Sequence, residues 1–355
     1  MKTSLKGTLQ MGNKKFTFID LFAGIGGFRL ALEDFGGYCV FSSEWDKNSQ
    51  ETYSKNFGEI PHGDITKIKE QDIPHHNVIC AGFPCQAFSI SGKMKGFEDT
   101  RGTLFFDVAR IAKYHKPEIL FLENVKNFTK HDNGRTLKVV LETLEEIGYN
   151  PFYKVLKSSN YEVPQARERV YIIAFRKNLN VKEFNYPEPK EIVKVAKDIL
   201  EPEPVSDRYY INRKDINIYK SEDKIADRRN PLQIGRINKG GQGERIYSIN
   251  AAGITLSAYG GGAASKTGAY SINGKIRKLT PRECARMQGF NDSYKIHEKP
   301  NVAYKQFGDS VSVPVLKEVF KQIIQAYPRL IKREIKVPDK KIIKQVQLNL
   351  EVADA

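Results

Sequence analysis

The run Phe16-Thr17-Phe18-Ile19-Asp20-Leu21-Phe22 passes at once into Ala23-Gly24-Ile25-Gly26-Gly27 and then into a helical segment, Phe28 to Phe35, closed by Gly36-Gly37. Glycines between a strand and a helix let the backbone approach a ligand closely and aim the helix start at it. A second strand, Tyr38 to Ser43, ends in Glu44-Trp45-Asp46. Glu44 lies 20 residues after Gly24, the separation at which an acid takes ribose hydroxyls in nucleoside-binding βαβ units. Trp45, the one Trp in the chain, offers a face on which a purine could stack. The glycines read GxGG, not GxGxxG, so a single nucleoside fits as well as a dinucleotide. Strand, glycine turn, acid and aromatic in this order point to an open α/β sheet with a nucleoside at its edge.

A third short strand is expected before His62-Gly63-Asp64-Ile65. Asp64 either accepts from an adenine amino group or caps a helix; both readings stand. His75-His76 lies in a polar stretch and reads as a surface loop. Asn77-Val78-Ile79-Cys80 reads as a buried strand, running into Ala81-Gly82-Phe83-Pro84-Cys85-Gln86-Ala87-Phe88-Ser89. Cys85 therefore belongs just past a strand's C-terminal end, where open α/β sheets bind ligands. Pro84 keeps a helix from running through it. Cys85 is a candidate nucleophile; taken alone it reads first as a small buried hydrophobe, and the rest of the chain reverses that.

Ser91 to Gly102 is polar, basic and carries three glycines, a composition suited to a mobile lid or to a plain surface loop. A helix is expected from Leu104 to Tyr114. Another buried strand, Pro117 to Leu122, ends in Glu123-Asn124-Val125 and sets a carboxyl at the same sheet edge as Cys85. Gly134 to Ile147 is amphipathic and helical, and Asn150 to Leu156 and Val170 to Phe175 alternate like paired strands. Between them Arg167 and Arg169, two apart on an extended segment, point to one side. They could hold a phosphate or a carbonyl oxygen, or be solvated strand-end charges.

After about Lys177 the composition turns to Lys, Glu, Asp, Asn and Pro, followed by two glycine-rich blocks, Gly240 to Arg245 and Thr255 to Gly262. Such loops reach into grooves and present a few polar side chains. Lys278 to Met287 reads as a helix capped by Thr280 with Pro281 in its first turn, and Pro314 to Tyr327 as another. The 355 residues carry 57 Lys+Arg against 42 Asp+Glu, a net charge of +15 and a pI near 9.4. That excess predicts an acidic polymer as partner, most simply nucleic acid. Four cysteines without CxxC spacing fit a reducing compartment. No histidine or cysteine cluster has metal-ligand spacing, and no apolar run approaches a membrane span. A cytoplasmic, soluble protein without metal or membrane is expected.

Phe22-Ala23-Gly24-Ile25-Gly26-Gly27, Pro84-Cys85-Gln86, Glu123-Asn124-Val125, Gln165-Ala166-Arg167-Glu168-Arg169 and Gln306-Phe307-Gly308-Asp309-Ser310 resemble the ordered motifs of the DNA cytosine-C5 methyltransferases. They are similar above all to the bacterial GCGC-specific members of restriction–modification systems, over residues about 16–325. The family usually has Asn where this chain has Asp309. The resemblance implies a class I S-adenosylmethionine-dependent methyltransferase fold: a mixed, mostly parallel sheet with helices on both faces, plus a small irregular target-recognition domain. It implies a catalytic domain over 1–190, target recognition over 191–280, a hinge over 281–308, a returning helix over 309–327 and a basic tail over 328–355.

The same resemblance makes Cys85 the nucleophile that adds to C6 of a flipped-out cytosine, with Glu123, Arg167 and Arg169 holding the ring. S-adenosylmethionine would be held by Phe22, Gly24, Gly26, Glu44, Trp45, Asp64, Ile65, Pro84 and Asp309. Ser91 and Gln242 would fill the space the base leaves, and Arg245, Tyr259 and Gly261 would meet duplex DNA. A cognate restriction endonuclease acting on the same site is the implied partner. An RNA cytosine-C5 methyltransferase is the nearest alternative; the large glycine-rich second region favours duplex DNA.

Overall fold

The computed structural model describes residues 14–84, 104–219 and 227–335. Cys85, Ser91 and the expected lid lie outside the described residues, as does the tail beyond 335.

Six strands form the first sheet: β1 (Phe16–Leu21), β2 (Gly37–Ser43), β3 (Val78–Gly82), β4 (Ile119–Val125), β5 (Tyr149–Lys157) and β6 (Glu168–Arg176), in the order β2-β1-β3-β4-β6-β5. β1 pairs in parallel with β2 and β3, and β3 with β4; β6 pairs antiparallel with β4 and β5. The sheet is mixed, and parallel through its first four strands. Parallel strands covered on both faces read as near-continuous apolar runs. Alternation then sends neighbours to opposite cores. Val78, Cys80, Ile119, Phe121, Tyr171 and Ile173 enter one core; Ile79, Ala81, Leu120, Leu122, Val170 and Ile172 enter the other.

Helices α1 (Gly27–Glu33), α2 (Lys47–Phe57), α3 (Leu104–His115) and α4 (Arg135–Glu146) follow the strands. α3 and α4 bury Phe105, Val108, Ile111, Leu137, Val140 and Leu144 in the second core. Nothing apolar and periodic announces α2; its buried face is Ser49, Gln50, Thr52 and Tyr53. The strand expected before His62 is reduced to a single parallel bridge, Ser43 to His62, held by His62 N–H donating to Ser42 and Glu44 N–H to His62 at 2.8 and 2.7 Å. His76, expected on a surface loop, is fully buried. Its Nδ1 lies 2.7 Å from the Pro74 carbonyl and its ring 4.8 Å from His115. Burial pushes its pKa down to about 3, so the ring is neutral.

The second region carries a five-stranded sheet, more regular than its sequence suggests: β7 (Ile216–Ile218), β8 (Gln233–Ile237), β9 (Arg245–Ser248), β10 (Ala269–Ile272) and β11 (Lys275–Lys278), in the order β11-β10-β9-β8-β7. Its strands are short and its core is small: Ile234, Ile237, Ile246, Ala264 and Ala269. The chain then returns through α5 (Pro281–Met287), α6 (Pro300–Asp309) and α7 (Val313–Ala326). Thr280 caps α5 in a capping box with Glu283, and Pro281 opens it, while Lys278 belongs to β11. Fully buried Arg277 donates to both Glu283 oxygens at 2.8 and 2.7 Å and to Glu203 at 2.8 Å, so its charge is paired. α7 packs on α1 and adds Val315, Leu316, Val319, Phe320 and Ile323 to the first core. Each such side chain contributes about 1.5–3 kcal/mol when fully buried.

Candidate active site

The C-terminal edge of the first sheet opens into a cavity of about 1090 Å³. Phe22 stands at its floor with φ 55°, a conformation uncommon outside glycine and concentrated at functional sites. Gly24 follows at φ 54°, and a Cβ built there meets nothing within 4 Å. The backbone is therefore bare toward the cavity. Glu44 reaches across from the end of β2. Its Oε2 accepts from the Gly24 N–H at 2.8 Å and its Oε1 from the Asp46 N–H at 2.8 Å. Burial raises its pKa above the ordinary carboxyl value against those two hydrogen bonds. Trp45 next to it is 79% exposed, with its ring on the rim.

Asp64, Ile65, Pro84 and Asp309 line the same cavity. Asp64 Oδ1 accepts from the N–H and hydroxyl of Thr66 at 3.0 and 2.8 Å, so the capping reading holds while the residue also faces the cavity. Gly26 does not line it. A Cβ there would lie 2.3 and 2.7 Å from ring atoms of Phe57; this glycine lets α2 pack close. Asp309 pairs with Lys305 at 3.3 Å, and Lys305 also lies 3.6 Å from Asp46. This triad crosses the cavity mouth. The spacing of Lys305 and Asp309, four apart on one helix, is a signal for it.

At the other end of the cavity Glu123 sits within the ladder of β4, opposite Gly82 of β3 and Tyr171 of β6. Its Oε1 lies 3.1 Å from Arg169 Nε, yet among the described residues that oxygen has no aligned hydrogen-bond donor. Burial raises the carboxyl pKa; Arg169 and then Arg167 oppose it less strongly. A buried acceptor facing a cavity without a donor is a group waiting for a ligand's N–H.

The two arginines part company. Arg169 faces Glu123. Arg167 is 2% exposed and spends its guanidinium on the carbonyls of Ser310, Gly308 and Leu256, at 2.7, 3.1 and 3.4 Å. Burial, with Arg169 alongside, pushes its pKa down to about 9. Neither is a solvated strand-end charge. Arg167 belongs to a seam in which Ala166 N–H donates to Gly253 and Gly253 N–H to Pro164, at 2.9 and 2.8 Å. Thr255 Oγ1 adds a bond to the Ala166 carbonyl at 3.0 Å. The seam locks the second region to the edge that carries Arg169.

The two glycine-rich blocks meet. Ala264 N–H donates to Gly243 at 2.9 Å. Gly243 has φ 82°, and a Cβ on it would lie 2.2 Å from the Gly261 carbonyl. Only glycine permits that approach. Gln242, Tyr259 and Gly261 are exposed on this pair of loops, and Arg245 is exposed where the first of them enters β9. Tyr259 also lines the cavity, beside Asp46 and Lys305. Among the described residues no group of three His, Cys, Asp or Glu could hold a metal, and no helix is long and apolar enough to cross a membrane.

A family model described as C-5 cytosine-specific DNA methylase matches residues 16–325. The type II methyltransferase M.HhaI of Haemophilus parahaemolyticus is 54% identical over 314 residues, spanning 88% of this chain and 96% of that protein. The type II methyltransferase M.HpaII of Haemophilus parainfluenzae is 45% identical over 333 residues, spanning 88% and 90%. The crystal structure of the S. pombe Dnmt2 methyltransferase superposes with a TM-score of 0.66 at 18% identity, over 88% of this chain and 99% of that one. That last likeness is one of fold.

Proposed function

Since the chain belongs to the C-5 cytosine-specific DNA methylase family, we propose that it methylates C5 of a flipped-out cytosine within GCGC, by way of a covalent bond from Cys85 to C6. At the coarser level it is a type II C5-cytosine DNA methyltransferase of the restriction–modification kind. The observation that supports the ring chemistry is the buried Glu123 carboxyl, beside Arg169 and with an oxygen that lacks an aligned donor among the described residues.

The cavity suits S-adenosylmethionine, the methyl donor the family implies. Bare backbone at Gly24 admits a close ligand. Glu44, with lone pairs beyond its two backbone bonds, suits ribose hydroxyls. Phe22, Trp45, Asp64, Ile65, Pro84 and Asp309 would complete the site. Bound there, the cofactor would supply an electrophilic methyl group.

Cytosine C5 is a weak nucleophile. A thiolate adding at C6 turns the ring into an enamine with electron density at C5. Cys85, the residue after Pro84 in the chain, is assigned that thiolate. Glu123, whose carboxyl pKa burial raises, donates to N3 as charge builds there and accepts from the exocyclic amine. Arg169 holds Glu123 and the ring carbonyl. Arg167 supports this from behind, through the seam. Once C5 is methylated, a base takes its proton and the Cys85 sulfur departs.

The ring cannot be reached inside a stacked duplex, so flipping costs a few kcal/mol. Ser91 and Gln242 are assigned to the vacated space, and Arg245, Tyr259 and Gly261 to the major groove, where Arg pairs with guanine. A cognate endonuclease would cut the same sequence. Incubation with plasmid and methyl donor, followed by bisulfite sequencing, should show 5-methylcytosine at GCGC alone. Methylation at another motif rejects the target; no methylation of any duplex rejects the function.

A further inference from the structure

Asp64 and Ile65 face the cavity from a single 3-10 turn, Ile65–Lys67. Such a turn holds itself weakly. Its own backbone bonds run from Lys67 N–H to Asp64 at 3.1 Å and from Ile68 N–H to Ile65 at 3.2 Å.

A third element fixes it. Arg110 of α3 donates through Nη2 to the Ile65 carbonyl at 2.7 Å. Its Nη1 pairs with Glu70 at 2.9 Å and its Nε with Asp107 at 2.8 Å. All three side chains are mostly shielded, with 23, 26 and 16% exposure. α3 itself is anchored by Phe105, Val108, Ala109, Ile111 and Ala112 in the second core. The guanidinium is thus a strut from a rigid helix to a small turn. Its planar fork serves three partners at once, which an ammonium on a flexible stem does not do. Arg110 lines the cavity as well, but its nitrogens are directed at protein groups, so it acts through the turn.

We propose that Arg110 is a positioning residue for base selection in the cofactor: it holds the Asp64–Ile65 turn so that the Asp64 carboxylate meets the exocyclic amino group of adenine. This rests on the reading of the cavity as an adenosyl site. Both Thr66 bonds go to Asp64 Oδ1, so the second oxygen is the one able to accept from the ligand. A site built around such a bond rejects an analogue that lacks the donor. A slack turn keeps its carboxylate yet loses the discrimination.

The test uses the full chain and two ligands, S-adenosylhomocysteine and S-inosylhomocysteine. In the second, a carbonyl oxygen replaces the amino group. Binding is read by calorimetry and by fluorescence of Trp45, the single Trp and a rim residue. Wild type should prefer the adenosyl ligand by about tenfold or more, the scale of one lost hydrogen bond with a stranded partner. Arg110→Lys should cut that preference to about threefold or less by weakening the adenosyl ligand alone. Glu70→Gln, which leaves Arg110 and the α3 packing in place, should fall between. A cooperative thermal transition without ligand establishes that each variant is folded. A strut with a merely structural role would weaken both ligands equally; an unchanged ratio in folded Arg110→Lys and Glu70→Gln overturns the proposal. Should Arg110→Lys not fold, Glu70→Gln decides. Wild type that binds neither ligand overturns the adenosyl reading itself, a result distinct from a wild type that discriminates and variants that do so equally.

Discussion

The two sheets differ in how they hold the groups they carry. The first is covered on both faces through its central strands, and Glu123 stands inside its ladder between two neighbouring strands. The second has short strands and a small core, and it exposes Arg245 at the start of β9 and Gln242, Tyr259 and Gly261 on loops. Ring chemistry needs a carboxyl fixed to fractions of an ångström, and a strand between two strands provides that. Reading a groove needs side chains that project, and exposed loop tips provide that. The seam from Pro164 to Arg167 joins the halves, so one cavity can serve both.

That division is testable, beginning with the largest effect. Glu123→Gln keeps the size and the place in β4 but removes the proton. Single-turnover methyl transfer should fall by about 100-fold or more, while duplex affinity in a gel-shift titration stays within about threefold. A variant as fast as wild type would show that the first sheet does not carry the chemistry. Arg245→Ala should act the other way. Its rates on GCGC and on duplexes with one changed base should converge by about 1–3 kcal/mol, or about 5- to 150-fold, with methyl transfer itself retained. Undiminished selectivity would remove the second sheet's loop from the reading of sequence.

The smallest effect is on stability. Burial raises the Glu123 pKa above its ordinary value of 4.5. The folded state therefore binds this proton more tightly than the unfolded one, and the preference is fully present below that ordinary value. It is lost as pH rises through the raised value, where the buried carboxyl must ionise. Glu123→Gln is spared this cost. Its urea midpoint should gain on the wild type's as pH rises from 4.5 and then level off. A gap that stays constant with pH would place Glu123 in a solvated setting.

Much of this was legible in the chain because parallel, doubly buried strands leave little choice of residue. Val78–Gly82 and Ile119–Val125 announce themselves as apolar runs; Gly82-Phe83-Pro84 at the end of the first and Glu123 near the end of the second mark the sheet edge. Motif spacing carried Gly24, Glu44 and Glu123 to one cavity. Tertiary contacts decided the rest. Gly26 looks like a ligand glycine, but the Phe57 ring sets its identity. Arg167 and Arg169 are alike in sequence, and only the fold shows that one meets three carbonyls and the other a carboxyl. His76 is polar by type yet buried by its neighbours. Arg110 carries no motif at all; its partners lie 3, 40 and 45 residues away in the chain.

The central claim is a transient bond between the Cys85 sulfur and a cytosine lifted from its helix. A GCGC duplex whose target cytosine carries fluorine at C5 tests it most directly, because fluorine cannot leave as a proton does. With methyl donor present, wild type should form a one-to-one protein–DNA complex that survives denaturation, and Cys85→Ala should form none. A Cys85→Ala variant that still methylated ordinary GCGC duplex at the wild-type rate would contradict the account.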